Sequence, residues 1–150
     1  MENNVAFLTS DVARLLRKRF EYATRDCGIT GPQWRALQLV NVNPGINQGT
    51  LAALLEVEAI TAGRMIDRLE KMGLVERRAD PNDRRVWLLH LTERAAPLLE
   101  RLRGRALSVI AEYTAIFSDI EKDQLVSHLR RLREKLLEPC SDTAEIVTNG

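Results

Sequence analysis

Thr61, Arg64 and Arg68 stand three and four residues apart. On a helix that spacing gathers them on one face, with Ile60 and Gly63 beside them near the N-terminal end. A hydroxyl and two guanidinium groups so placed can reach phosphate oxygens and base edges in a major groove, and an isoleucine can meet a thymine methyl. The same arginines could do no more than solvate the helix, paired with Asp67 or Glu70. A second cluster follows: residues 77–85 read Arg-Arg-Ala-Asp-Pro-Asn-Asp-Arg-Arg, a turn-forming stretch rich in cations. A basic tip of this kind can track a phosphate backbone or set an arginine in a narrow minor groove. Carboxylates repel phosphate, so Asp80 and Asp83 are expected to orient Arg84 or Arg85 by carboxylate–guanidinium pairing.

Other chemistry is thin. The two cysteines, Cys27 and Cys140, and the two histidines, His90 and His128, show no metal-ligand spacing. No nucleophile stands with a base, and Gly28, Gly31, Gly45 and Gly49 break or flank helices rather than cradle a phosphate. An enzyme reading has nothing to rest on, and no cofactor is implied. Cys27 follows Asp26, whose charge disfavours a thiolate, so it reads as a bland thiol rather than a redox sensor.

The elements that must position these residues follow from periodicity. Val5, Leu8, Val12, Leu15, Leu16 and Phe20 predict an amphipathic helix to about Thr24, ended by Cys27-Gly28. Thr30-Gly31-Pro32-Gln33 fits a capping box for a second helix to about Val42, stopped by Asn43-Pro44-Gly45. Asn47 caps a short third helix through about Leu55, and Glu56-Val57 makes a turn. A fourth helix runs from about Glu58 to Met72, burying Ala62, Ile66 and Leu69, with Gly73 at its end. Helix, turn and longer helix make a helix-turn-helix. Leu74–Arg78 and Arg85–Leu91 then change to strand character and form one β-hairpin across the 79–84 turn. Thr92 is expected to cap the next helix, whose stripe runs from Leu98 through Leu102, Val109 and Tyr113 to Phe117. Ser118-Asp119-Ile120-Glu121 is another capping box, opening a last helix on Leu125, Leu129, Leu132 and Leu136.

The expected fold is mainly α with one β-hairpin wing: a winged helix-turn-helix with N- and C-terminal dimerisation helices. One domain covers residues 1–137, with a DNA-binding lobe at about 30–92 and flanking helices at about 4–26 and 93–137. Residues 138–150, including Cys140, are expected to be a flexible tail. The flanking helices carry stripes that the lobe does not need, and a second copy of the chain is the economical partner, hence a homodimer.

Composition agrees and excludes alternatives. The 150 residues are 45% hydrophobic and 29% charged, ordinary for a globular chain. The net charge is only +1, so the location of the charges matters more than their sum. No apolar run is long enough to span a bilayer. The first twenty residues hold Glu2, Asp11, Arg14, Arg17, Lys18 and Arg19 with no apolar block, so no secretory signal is present and a cytoplasmic location is expected.

Over about residues 8–137 the chain resembles the MarR-type (multiple antibiotic resistance regulator) winged helix-turn-helix family. The resemblance rests on Leu69-Glu70-Lys71-Met72-Gly73-Leu74-Val75-Glu76-Arg77, then Asp80-Pro81-Asn82-Asp83-Arg84-Arg85, then Leu91-Thr92-Glu93. Leu51-Ala52-Ala53-Leu54-Leu55-Glu56-Val57 matches the family's approach to the recognition helix. The resemblance implies a cytoplasmic homodimeric repressor with interlocked terminal helices, bound to a pseudo-palindromic operator in double-stranded DNA. It also implies release by a small aromatic or phenolic ligand between the dimer helices and the DNA-binding lobe. In relatives the second helix lines that pocket, which makes Trp34 a candidate, with Phe20, Arg14 and Arg17 of the first helix beside it. Recognition helices of the family often begin with serine and carry a threonine one turn in; Ile60 and Gly63 stand there instead, so the operator sequence does not transfer. Two alternatives stay open: a constitutive or cysteine-gated regulator, and a winged-helix protein-interaction module, which salt-sensitive DNA binding would separate.

Overall fold

The computed structural model describes residues 4–139; the expected tail from Cys140 onward lies outside them. The helices are α1 (Val5–Thr24), α2 (Gly31–Val42), α3 (Gln48–Leu55), α4 (Ala59–Lys71), α5 (Ala95–Thr114) and α6 (Asp119–Leu137). The strands are β1 (Ile46–Asn47), β2 (Val75–Ala79) and β3 (Trp87–Leu91), and a short 3-10 turn, Arg25–Cys27, follows α1. The chain divides into two compact units, one up to Ile110 and one from Ala111.

The helix starts are set by side chains that satisfy orphan backbone donors. The Thr30 hydroxyl accepts from the Gln33 N–H at 3.3 Å while the Thr30 N–H donates to Gln33 Oε1 at 2.9 Å. Asn47 Oδ1 accepts from the Thr50 N–H at 2.8 Å and opens α3. In the second unit Ser118 and Glu121 close the same reciprocal box on α6.

The first unit holds the core. Leu37 and Val40 of α2, Leu51 of α3, Ile66 and Leu69 of α4, Val75 and Leu89 of the sheet, and Leu102 of α5 are fully buried. Each such side chain contributes about 1.5–3 kcal/mol by leaving water. Six elements, α2, α3, α4, β2, β3 and α5, therefore share one apolar centre, which fixes α4 and the hairpin relative to each other.

Two local expectations change. The hairpin is part of a three-stranded antiparallel sheet in the order β1-β3-β2, with Ile46 opposite Leu89 and Asn47 opposite Leu88. A two-residue strand is too short to show an alternation, so no pattern announced it. Thr92 does not cap α5, which begins at Ala95. Its N–H donates to Leu74 O at 3.0 Å and its hydroxyl donates to Gly73 O, so Thr92 ties the end of β3 to the end of α4. Gly73 sits at φ +71°, in the left-handed region that a residue with a Cβ seldom adopts.

In the second unit α6 has no buried residue; Leu125, Val126, Leu129, Leu132 and Leu136 are exposed. No helix of the described residues is long and apolar enough to cross a membrane.

Candidate nucleic-acid interface

Glu56 makes the turn between α3 and α4. It adopts φ +55°, and the Glu56 and Val57 N–H groups donate to Ala53 O and Ala52 O, both at 3.1 Å. These bonds satisfy the last carbonyls of α3 and reverse the chain into α4. α4 buries Ala62, Ile66 and Leu69 and turns Thr61, Arg64 and Arg68 outward. The three outward residues line a groove of about 310 Å³ with Thr30, Pro32 and Gln33 from the start of α2. Ile60 is 62% exposed at the head of α4, open to a ligand and not packed as a staple.

Gly63 lies beside α3: a Cβ there would stand 3.0 Å from Gln48 Nε2, so a methyl group would need the Gln48 amide to give by a few tenths of an ångström.

Gln48 belongs to a cluster that the sequence reading missed. Arg77 of β2 donates to Asp67 Oδ1 at 2.7 Å, to Glu70 Oε2 at 2.8 Å and to Gln48 Oε1 at 3.3 Å. Its side chain is only 19% exposed. Partial burial opposes the charge, but the hydrogen bonds that Arg77 donates to Asp67 and Glu70 outweigh it and hold the guanidinium pKa above its usual value. Arg77 thus clamps the wing to both helices and is not part of a basic tip. Arg78 pairs with Glu76. The tip cations reduce to Arg84 and Arg85, both exposed. The carboxylates that might have neutralised the outward face of α4 are taken by Arg77. Among the described residues Arg64, Arg68, Arg84 and Arg85 have no acidic partner.

The expected role of Asp80 and Asp83 is corrected as well. Neither carboxylate pairs with Arg84 or Arg85. Asp80 Oδ1 accepts from the Asn82 N–H at 2.8 Å and Asp83 Oδ1 from the Arg85 N–H at 3.0 Å. The Asp80 and Val86 N–H groups close the turn on Val86 O and Asp83 O, both at 3.0 Å. The aspartates fold the tip backbone because an Asx side chain reaches the N–H two residues on without fixing a long, exposed arginine side chain in one geometry.

The residues expected around an effector are partly brought together. Phe20 and Trp34 meet edge to face, ring centroids 6.2 Å apart. Trp34 also lines a cavity of about 380 Å³ between α2 and α5, with Gln38, Asn41, Leu99, Arg103 and Leu107 among its walls. Arg14 and Arg17 do not line it. Arg14 is turned along its own helix and pairs with Asp11 at 2.6 Å. The cation at the Trp34 cavity is Arg103. Cys27 is buried in the core, 7% exposed. Among the described residues no group of three or more His, Cys, Asp or Glu could hold a metal ion.

Comparison with known proteins adds an independent line. A family model described as MarR family matches residues 29–87, which hold α2 to α4, β2 and the wing turn up to the first residue of β3. The transcriptional regulatory protein proposed for the hcr operon of Thauera aromatica is 31% identical over 105 residues, 70% of this chain. The matched region spans 63% of that relative's own length. The crystal structure of MarR superposes with a TM-score of 0.80 at 26% identity, covering 89% of this chain and 90% of that one. The repressor CouR, bound to a 23-mer DNA duplex, superposes with a TM-score of 0.80 at 25% identity, covering 88% and 94%.

Proposed function

The chain belongs to the MarR family, and from that premise we propose that it regulates transcription as a homodimer on double-stranded DNA. In this reading α4 enters a major groove, where Thr61, Arg64 and Arg68 reach base edges and phosphates and Ile60 meets a thymine methyl. The wing lies on the flanking backbone or minor groove through Arg84 and Arg85. One observation carries the reading: Asp67 and Glu70 are consumed by Arg77, leaving the outward cations of α4 uncompensated. An unpaired guanidinium face beside a pair of wing arginines is the footprint of a polyanion.

The dimer is supported by apolar surface. α1 leaves Val5, Leu8, Val12 and Leu15 exposed, and α6 leaves its whole leucine stripe exposed. A second copy that covers these stripes sets two recognition helices about 34–36 Å apart, the distance between successive major grooves, and so selects a pseudo-palindromic operator. The regulator acts in the cytoplasm as a repressor, by occupying the operator. Recognition and release are both binding events, so the reading needs no catalytic step. Release is by a small aromatic or phenolic ligand in the Trp34 cavity, whose volume suits a single ring and whose Arg103, 3.9 Å from Glu100 on the same wall, would exchange that loose pairing for a carboxylate or phenolate. Such a ligand lowers DNA affinity only by binding the DNA-competent and incompetent arrangements unequally.

The test is fluorescence anisotropy with a duplex selected by the protein from a random pool. Arg64→Ala should lower affinity for that duplex by about 1–3 kcal/mol and flatten its preference over random duplex. Unchanged discrimination at matched salt would remove α4 from base reading. Aromatic carboxylates and phenols, titrated to millimolar concentration, should release the duplex; failure of every one would leave an ungated regulator.

A further inference from the structure

Trp87 stands outside every role assigned so far. β3 places Trp87 opposite Ala79, two rungs beyond the Leu89–Arg77 pair and therefore next to it on the same face. Alternation along a strand puts Trp87, Leu89 and Leu91 on one face, level with Ala79, Arg77 and Val75 of β2. That face looks at the helix-turn-helix, because Arg77 on it reaches Gln48 of α3 and Asp67 and Glu70 of α4. Val75 and Leu89 are buried beneath those helices. Two rungs outward the cover ends: Trp87 is 48% exposed and is no part of the hydrophobic core. Its rung partner is a methyl side chain too small to shield an indole. The indole N–H has no hydrogen-bond acceptor among the described residues. The neighbouring cations of the tip, Arg84 and Arg85, are exposed and have no acidic partner.

A large aromatic ring left in water, with a free donor, beside the unpaired arginines of the tip and on the sheet face that looks at the helix-turn-helix matches the surface of a nucleic-acid backbone. Cations meet phosphates there, while the faces of the deoxyribose rings are apolar. We propose that Trp87 is a direct DNA contact of the wing. Its ring packs on the deoxyribose wall of the minor groove flanking α4, and its N–H donates to an oxygen of that wall. The proposal rests on the DNA-binding reading above and adds an apolar, sequence-tolerant contact to a wing otherwise described by charge.

The experiment uses full-length protein and the selected duplex across a salt series. Trp87→Ala should bind about tenfold more weakly, with the salt slope unchanged because no counterion is displaced by an indole. Arg84→Ala should instead reduce the slope by about one ion. The chain has two tryptophans, so Trp87→Phe leaves Trp34 as the sole indole emitter. Saturating duplex should quench wild-type emission and leave that of Trp87→Phe unchanged. Trp87→Ala binding as tightly as wild type, a reduced slope for that variant, or quenching that persists in Trp87→Phe would each overturn the contact. If Trp87→Ala melts well below wild type, the Trp87→Phe emission decides alone. Wild-type protein that fails to bind any duplex at low salt would overturn the DNA-binding reading itself, a result distinguishable from all of these.

Discussion

Arg77 determines which charges remain for a ligand. It occupies Asp67 and Glu70 from one side of α4, and so Arg64 and Arg68 on the other side are left without a carboxylate partner. Arg77→Ala would leave two carboxylates facing each other with no cation between them and Gln48 without its donor. We expect a loss of about 1–3 kcal/mol in urea unfolding. Arg77→Lys should recover only part of it, because an ammonium is a point charge and cannot fork to three oxygens. A second residue-scale consequence concerns acid. Arg105 of α5 donates to both oxygens of Asp26, at 2.8 Å to Oδ2, and to Ala23 O at 2.7 Å. The hydrogen bond from Arg105 holds the Asp26 carboxyl below the usual aspartate range. The ionised form is therefore favoured by folding. The resulting stability is full above the unfolded pKa of about 3.9 and is lost as pH falls through the lower folded value. Asp26→Asn should flatten the acid end of a plot of urea midpoint against pH and leave its neutral region parallel to wild type.

At the scale of elements the wing tip is the sharpest test. Asp83→Ala removes a charge that repels phosphate, so screening alone predicts tighter DNA binding. The structure predicts the reverse: without Oδ1 to receive the Arg85 N–H, the tip backbone loosens and the arginines must be ordered on docking. Operator affinity of Asp83→Ala should fall at every salt concentration, and tighter binding throughout would show the turn bond to be dispensable. Three of the helices were legible in sequence by both cap and stripe: Thr30 with Gln33, Asn47, and Ser118 with Glu121 all act where they were expected, while α1, α4 and α5 were legible by their stripes alone. The outward face of α4 was legible for the same reason, since Ala62, Ile66 and Leu69 fix its inward one. What escaped depends on partners distant in the chain. Arg77 reaches Gln48 across 29 positions, and no local pattern distinguishes a clamp arginine from a tip arginine. Gly63 and Trp87 escaped similarly: the first is explained by a neighbour on α3, the second by the absence of one.

At the scale of the molecule the question is what covers the leucines of α6. Because no residue of α6 is buried, changing its stripe cannot open a cavity in the chain's own core. Leu129→Glu with Leu132→Glu should therefore leave the helical content of the first unit intact. Sedimentation should show wild type as a dimer and the double variant as a monomer with weakened operator binding; a double variant that remains dimeric would move the interface away from α6. The sheet bears on association from the opposite direction. Its order, β1-β3-β2, leaves β2 as the long open edge, and an open edge is a template on which another strand can add and grow into an aggregate. Along that edge run Glu76, Arg77 and Arg78, and the other edge is only the two residues of β1. Charge on one side and brevity on the other make strand-to-strand growth unfavourable. Copies of this chain at high concentration are thereby steered away from stacking wing on wing, which leaves the proposed dimer to the helices.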